Sequence, residues 1–359
     1  MIGLKKSIII YAPNVHTGGG LSLLNELLAC PSMQEVVCVY FDIRAKDKLT
    51  IPDNIQVFWT RPTFFSRLKI EILLFLKSSK ENNVVMLNNL PPLFKSSAYY
   101  TLFIQNRILL EKQIFEAKFN KSYLRVMVER AWLRLFKNRI DTIIVQTETM
   151  KKKVQALYLS SKKYPNIRVF PFAKSFEKSK FLTTNRKKYK FDFFYPANGN
   201  AHKNHAKLFL AWRELAALNI YPCLAVTLDA SNEDLLNIIK QLQQDGVDVV
   251  NLGWLNQQET IETYLASNAI IFPSLTEAFG LPLVEATQFN LPVLASELDY
   301  VYDVCKPLLT FNPLESSSIA RAVKKYLGVE DIIRPIKPAE DFTRFVFGLP
   351  ENLRSDIDE

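Results

Sequence analysis

Apolar residues in this chain gather in short, nearly continuous runs, separated by stretches in which they recur every three or four positions. The runs of the first half are Ser7–Ala12, Val36–Phe41, Ile55–Trp59, Val84–Leu87, Thr101–Gln105, Thr142–Gln146 and Ile167–Phe170. Those of the second half are Phe191–Pro196, Leu224–Leu228, Val247–Leu252, Ala269–Phe272 and Pro292–Ser296. Continuous apolar runs read as parallel strands buried on both faces, and the periodic stretches between them as the helices of right-handed crossovers. The pattern therefore predicts an α/β chain of two doubly wound domains in tandem. The break falls in 173–190, AKSFEKSKFLTTNRKKYK, which is basic and lacks apolar periodicity. This gives a first domain over 1–175, a second over 190–330, and a terminal helix or tail over 331–359. No internal repeat of fixed period is present.

The length of 359 residues suits two domains that each bury a core. With 48% apolar and 23% charged residues, the composition excludes a disordered or collagen-like chain. Cys30, Cys38, Cys223 and Cys305 are scattered, so neither a disulfide scaffold nor a zinc ribbon is expected. No apolar run approaches the ~20 residues of a spanning helix. The N-terminal MIGLKKSIIIYAP stops at Pro13 and runs into a glycine loop, so it reads as a first strand rather than a signal peptide. A cytoplasmic protein is expected. The net charge of +9 conceals an asymmetry: residues 1–190 carry 33 Lys and Arg against 13 Asp and Glu, and the remainder 12 against 23. A first half at +20 points to an anionic partner, either nucleic acid or an anionic membrane surface.

Three segments carry candidate chemistry. In the first, Asn14-Val15-His16-Thr17-Gly18-Gly19-Gly20 joins the first run to a helical pattern. Consecutive glycines bring backbone amides close to a ligand, and a helix N-terminus favours an anion. The spacing is neither a dinucleotide fingerprint nor a P-loop, so a diphosphate cradle and a plain strand-to-helix turn both stand. In the second, Pro196-Ala-Asn-Gly-Asn-Ala-His-Lys-Asn-His205 delivers Lys203 to a helix start, where the dipole disfavours a cation unless an anionic ligand compensates. The chain's three histidines, His16, His202 and His205, all fall in these two loops. No carboxylate stands at metal-ligand spacing beside them, so no metal site is expected. The third segment begins FPSLTEAFGLPLVEA at Phe272. Glu277 lies in a loop and Glu285 in the helix opened by Pro282, with the amides of Phe279, Gly280 and Leu281 between them. Carboxylates hold vicinal hydroxyls and free amides hold phosphate, so this arrangement suits a nucleotide sugar. Asn290 before Leu-Pro suits a left-handed helix cap.

The third segment resembles the signature of the GT-B nucleotide-sugar glycosyltransferases called glycosyl transferases group 1. Pro273, Ser274, Glu277, Phe279, Gly280, Leu281, Pro282, Glu285, Pro292, Val293, Ala295 and Ser296 all match. The resemblance is specific over about 190–300 and mainly topological before it. It implies a GT-B fold, two Rossmann-like domains facing a central cleft, with donor held by the second and acceptor by the first. It also implies a retaining, metal-independent transfer. Carried over by position, Lys203 meets the donor diphosphate, Glu277 the sugar hydroxyls and Glu285 the ribose, making Lys203 and Glu277 the catalytic pair. His202, Asn204, Phe279, Gly280, Leu281, Gly19 and Gly20 complete the donor site. The sequence departs from the family where Asn198-Gly199-Asn200 replaces an arginine, and where Phe103-Ile-Gln-Asn-Arg107 replaces a first-domain histidine. His16, Gln105, Asn106 and Arg107 are accordingly expected on the acceptor or sugar side.

A helix is predicted over Tyr123–Arg139, with Leu124, Val128, Ala131 and Leu135 on one face and Arg130, Arg134 and Lys137 on another. That pattern fits a helix packed by its apolar face on a sheet. Together with Lys151–Lys153, Lys162, Lys163 and Arg186–Lys188, its cations also fit peripheral attachment to the inner leaflet of the cytoplasmic membrane. The expected partners are a nucleotide-sugar donor, a glycan or lipid-linked acceptor of surface polysaccharide assembly, and an anionic membrane surface. No nucleic-acid motif stands out. The competing classes are a GT-B sugar-nucleotide epimerase, which would need more acids and histidines in the cleft, and a non-catalytic protein of the same fold.

Overall fold

The computed structural model describes residues 7–111, 121–161, 163–174, 176 and 190–329, with isolated positions 339, 342 and 346. Most of the expected interdomain stretch and of the terminal segment 331–359 lies outside the described residues.

The first half forms a seven-stranded sheet. Its strands are β1 (Ser7–Ala12), β2 (Val36–Asp42), β3 (Gln56–Thr60), β4 (Asn82–Met86), β5 (Tyr99–Phe103), β6 (Thr142–Val145) and β7 (Asn166–Val169), in the order β3-β2-β1-β4-β5-β6-β7. Every pairing is parallel. Because β1 sits between β2 and β4, the chain winds outward first to one side and then to the other. Right-handed crossovers consequently put α1 (Gly18–Leu28) on one face and α2 (Phe64–Lys77), α3 (Lys121–Phe136) and α4 (Glu148–Tyr158) on the opposite face. The side chains sort accordingly. Leu23, Leu24 and Leu28 of α1 pack with Ile10, Val39 and Phe41, while Ile70, Leu74, Leu133, Met150 and Val154 pack with Ile9, Tyr40, Tyr100 and Ile143.

The second half repeats the plan with β8 (Phe191–Tyr195), α5 (His205–Ala217), β9 (Leu224–Val226), α6 (Glu233–Gln244), β10 (Val249–Asn251), α7 (Gln257–Leu265), β11 (Ser267–Phe272), α8 (Leu281–Gln288), β12 (Val293–Ser296), α9 (Asp299–Tyr302), β13 (Leu309–Phe311) and α10 (Ser316–Tyr326). These six strands are parallel in the order β10-β9-β8-β11-β12-β13 and enclose a separate core around Phe193, Trp212, Tyr264 and Phe272. Helix starts follow local chemistry. The Thr147 hydroxyl accepts from the Met150 amide at α4, and Asn256 with Glu259 forms a capping box at α7. Among the described residues no helix is long and apolar enough to cross a membrane.

Two expectations need correction. β13 has no counterpart in the predicted strands: Leu309–Phe311 is three residues long, and Pro307 and Pro313 around it read as loop. The predicted apolar face of α3 is turned to solvent. Leu124, Val128 and Leu135 are 64%, 56% and 74% exposed. Arg130 is buried instead, donating through Nε and Nη2 to the carbonyl of Ile108 at 3.1 and 2.6 Å. The buried anchor of that helix is Leu133, with Trp132 partly buried beside it and donating to the Pro91 carbonyl.

Candidate active site at the cleft

In the second sheet β8 and β11 are neighbours from which the chain winds away in opposite directions. Loops leaving the carboxyl ends of such a pair diverge and leave a crevice for a ligand. Here the crevice is drawn together by a polar network. The Tyr195 hydroxyl, fully buried at the end of β8, donates to the Lys203 carbonyl at 2.7 Å and lies 3.0 Å from Ser274 Oγ. The Leu275 amide donates to the His202 carbonyl at 2.8 Å. Asn204, in the left-handed region at φ 63°, donates to the carbonyls of Pro273 and Pro313 at 3.1 and 2.7 Å. Lys203 and Glu277 thereby meet, with Nζ 2.5 Å from Oε1 and both side chains largely buried.

The Ser274 carbonyl accepts from Tyr300 at 2.8 Å and from Ser296 Oγ at 2.9 Å. Ser274 and Ser296 of the sequence motif thus act as braces for the loop, and Tyr300 is a brace that sequence reading missed. Beyond Glu277 the chain turns at Gly280, whose φ of 76° disfavours a side chain and where a Cβ would press on Leu283 Cδ1 at 3.2 Å. Helix α8 starts there, with Pro282 at its second rather than first position. Glu285, one turn along, accepts from the buried Tyr264 hydroxyl at 2.8 Å. Burial pushes the Glu285 carboxyl up to about 7, against the opposing pull of that hydrogen bond. Asn290 is left-handed at φ 55°, as expected.

The first domain closes the other side. A Cβ on Gly19 would lie 3.0 Å from Leu281 Cδ1, and one on Gly20 would lie 3.5 Å from Gln105 Oε1. The glycine loop, Gln105 and the start of α8 are therefore in one place. Asn89, left-handed at φ 64°, turns its Oδ1 to the amides of Gln105 and Asn106 at 2.6 and 2.9 Å. Asn106 in turn caps the short turn Arg107–Leu109 through the Ile108 amide. His16 stays in the glycine loop, its Nδ1 3.1 Å from the Asn14 carbonyl.

Arg107, His205 and His202 stand in settings that the sequence did not show. Arg107 crosses to the second domain, holding Asp299 bidentately at 2.8 and 3.0 Å and reaching the Glu277 carbonyl at 3.4 Å, while its Nε pairs with Glu111 at 2.6 Å. His205, expected in a loop, is 2% exposed and packs its ring against that of Tyr195 in a tilted contact, so it is a core histidine; burial pushes it down to about 3. His202 is held neutral, pushed down to about 4 by burial and then by the Lys203 charge. Its Nδ1 is buried without a hydrogen-bond partner among the described residues. No group of three or more His, Cys, Asp or Glu among the described residues could hold a metal ion.

Residues 175–331, the part of the chain that holds Lys203, Glu277 and Glu285, match the family model for glycosyl transferases group 1. The match covers somewhat less than half of the chain. The chain is similar to the serotype-specific mannosyltransferase WbdA of Escherichia coli, 30% identical over 135 residues. The match covers 35% of this chain and only 16% of WbdA, so the chain corresponds to a small part of that relative. Solved structures share the whole architecture. A sucrose-phosphate synthase from Thermosynechococcus elongatus has a TM-score of 0.65 at 14% identity over 90% of both chains. Anabaena HepE in complex with UDP and glucose has a TM-score of 0.62 at 15% identity over 89% of both. A lipopolysaccharide outer core galactosyltransferase, WaaB, has a TM-score of 0.56 at 14% identity over 90% of this chain and 91% of its own. At these identities the likeness concerns the fold, which is GT-B.

Proposed function

We propose that the protein is a retaining, metal-independent hexosyltransferase that moves a sugar from a nucleotide diphosphate to a glycan, with a lipid-linked acceptor of surface polysaccharide assembly. The observation that carries this reading is the Lys203–Glu277 pair where the loops after β8 and β11 diverge, beside the start of α8 and opposite the glycine loop. In the proposed arrangement the ribose hydroxyls bind Glu285, the sugar hydroxyls bind Glu277, and the diphosphate faces Lys203 and the amides of Phe279 to Leu281. His202 and Asn204 shape the loop that carries Lys203. His16, Gln105 and Asn106 face the sugar and acceptor from the first domain.

Transfer breaks the bond from the anomeric carbon to the diphosphate oxygen and forms one to an acceptor hydroxyl oxygen, whose proton passes to the departing phosphate. Negative charge grows on the leaving oxygen, where a fixed ammonium and unpaired helix amides cost no reorganisation. Neutralising the diphosphate with Lys203 and backbone amides removes the need for a divalent cation. The +20 first half suits an acceptor presented at the inner face of the cytoplasmic membrane.

The test is thermal shift and donor hydrolysis across UDP-, GDP- and dTDP-sugars, beginning with mannosyl donors because WbdA is a mannosyltransferase by name. At least one donor should stabilise the wild type, and Lys203→Ala and Glu285→Ala should lose that response. A wild type unresponsive to every donor, with both variants behaving identically to it, overturns the reading.

A further inference from the structure

The loops that leave β2 and β3 stand beside the glycine loop, on the side of β1 away from Gln105. The turn Ile43–Lys48 leads back to that loop, where Lys48 Nζ donates to the His16 carbonyl at 3.4 Å. At its root Asp42, the last residue of β2, is fully buried and holds two guanidiniums. Its Oδ1 accepts from the amide and Nε of Arg44 at 3.0 and 2.9 Å, and its Oδ2 from Nη2 of both Arg44 and Arg67 at 2.8 Å. Both oxygens are then occupied, yet Arg67 Nη1 is buried with no hydrogen-bond partner among the described residues. Glu71, one turn along α2, does not supply one: its Oε1 accepts from the Tyr11 hydroxyl at 2.6 Å and its Oε2 from the Leu93 amide at 2.8 Å. A guanidinium stays charged at any working pH, so an unpaired N–H on it calls for an acceptor.

We propose that Arg44 and Arg67 receive an anionic group, a carboxylate or a phosphate, carried on the acceptor glycan. Positive charge is in excess here: two guanidiniums share one carboxylate, and residues 42–67 as a whole hold five Lys and Arg against three Asp. Both cations are arginines, whose planar fork matches the paired oxygens of a carboxylate or phosphate. Their side chains are 43% and 21% exposed, so both keep surface for a ligand. Asp42 is the positioning residue that lets two like charges stand side by side. The start of α2 is fixed separately, because Ser66 Oγ lies 2.9 Å from Thr60 Oγ1 and accepts from the Arg61 amide at 3.1 Å. Arg67 is thereby presented at the carboxyl edge of the sheet, the edge that also carries the glycine loop and Gln105. Calling the ligand an acceptor rests on the transferase reading; the anion site itself does not.

Ligand-observed NMR titration of the full chain with glucuronic acid, glucose 1-phosphate and glucose tests the proposal, repeated on Lys203→Ala to set apart anions held at the donor site. Wild type and Lys203→Ala should both bind an acidic sugar roughly tenfold or more tightly than glucose, and less tightly as salt rises. Arg67→Gln should remove that preference. Arg44→Gln, at a half-exposed position that leaves Arg67 on Asp42, should weaken it several-fold and reads the site if the first variant fails to fold. Tighter binding of glucuronic acid assigns an acidic sugar and tighter binding of glucose 1-phosphate a phosphorylated acceptor; either, or both alike, supports the proposal. Acidic and neutral sugars bound equally, or a preference that survives both arginine variants or is lost only in Lys203→Ala, overturns it. A purely structural bridge would lower the unfolding temperature of the arginine variants and leave the sugar preference untouched. Donor recognition with no acid preference sinks the anion site alone; an acid preference with no response to any donor sinks the transferase reading alone.

Discussion

Arg107 of the first domain and Asp299 of the second are joined by two hydrogen bonds, 2.8 and 3.0 Å long, across the cleft. The guanidinium is buried, whereas the Asp299 side chain keeps 47% of its exposure. Solvent screening on that side limits the coupling to about 1 kcal/mol. Asp299 is held below its ordinary 3.8, with the Arg107 hydrogen bond and charge outweighing burial. This stabilisation is therefore present above pH 3.8 and lost as pH falls through the lower folded value.

Arg107→Lys cannot reproduce the fork and should loosen the two domains while leaving each folded. Small-angle scattering should show a larger radius, with turnover down roughly 10-fold, in line with a loss near 1.4 kcal/mol. A double-mutant cycle with Asp299→Asn should be non-additive by about the coupling energy. Additive effects would show that the bridge does not join the domains in solution.

Lys203→Ala should lower donor turnover by about 100- to 1,000-fold, the loss seen when one fixed donor to a developing charge is removed. It also leaves Glu277 without its cation in a largely buried place. Lys203→Ala and Glu277→Ala should thus each lose about 1–3 kcal/mol of stability, and the double variant should recover much of that loss without recovering activity. Calorimetry alongside donor hydrolysis separates the two effects.

Glu285 sets a pH dependence. Its folded value of about 7 lies above the ordinary 4.5, so the fold favours the protonated carboxyl, and stability falls as pH rises from 4.5 through 7. Glu285→Gln should be more stable than wild type at pH 8, by up to about 3 kcal/mol, with the difference vanishing towards pH 5. Donor KM should move the other way, improving as the carboxylate forms, with a midpoint near 7 in the free enzyme. Tyr264→Phe removes the hydrogen bond that lowers the value and should shift that midpoint upward. A flat KM profile in the wild type would show that Glu285 does not receive donor hydroxyls.

Gly280→Ala should cost about 1–2 kcal/mol, because the residue is left-handed and a methyl would press on Leu283. Gly19→Ala should cost less, since Gly19 is not left-handed and the atom it meets, Leu281 Cδ1, is the movable end of a side chain. Unfolding temperatures of the two variants check the order.

Much of this was visible in the bare sequence because buried parallel strands leave unbroken apolar runs. Twelve of the strands coincide with such runs to within a few residues, and the glutamate motif located the loop after β11. What escaped depended on tertiary context. Arg130 is buried because the Ile108 carbonyl offers it a partner, which no periodicity records. His205 shares a loop-like segment with His202 yet packs in the core, because the first turn of α5 faces Tyr195. Arg107 could be placed near the cleft from its strand end, but its partner is 192 residues away. Asn89 offered the one usable signal, an Asn-Asn pair running into Leu-Pro-Pro.

The segment from Ser274 to Gly280 is fastened twice. Its beginning is braced by Tyr300 and Ser296 within its own domain, while the carbonyls of Glu277 and Ala278 are held by Arg107 and Thr147 of the other. Glu277 therefore rides on a bridge with a pier on each bank. Any widening of the cleft tugs on that residue before it disturbs either core, which makes the carboxylate a gauge of whether the two halves have come together.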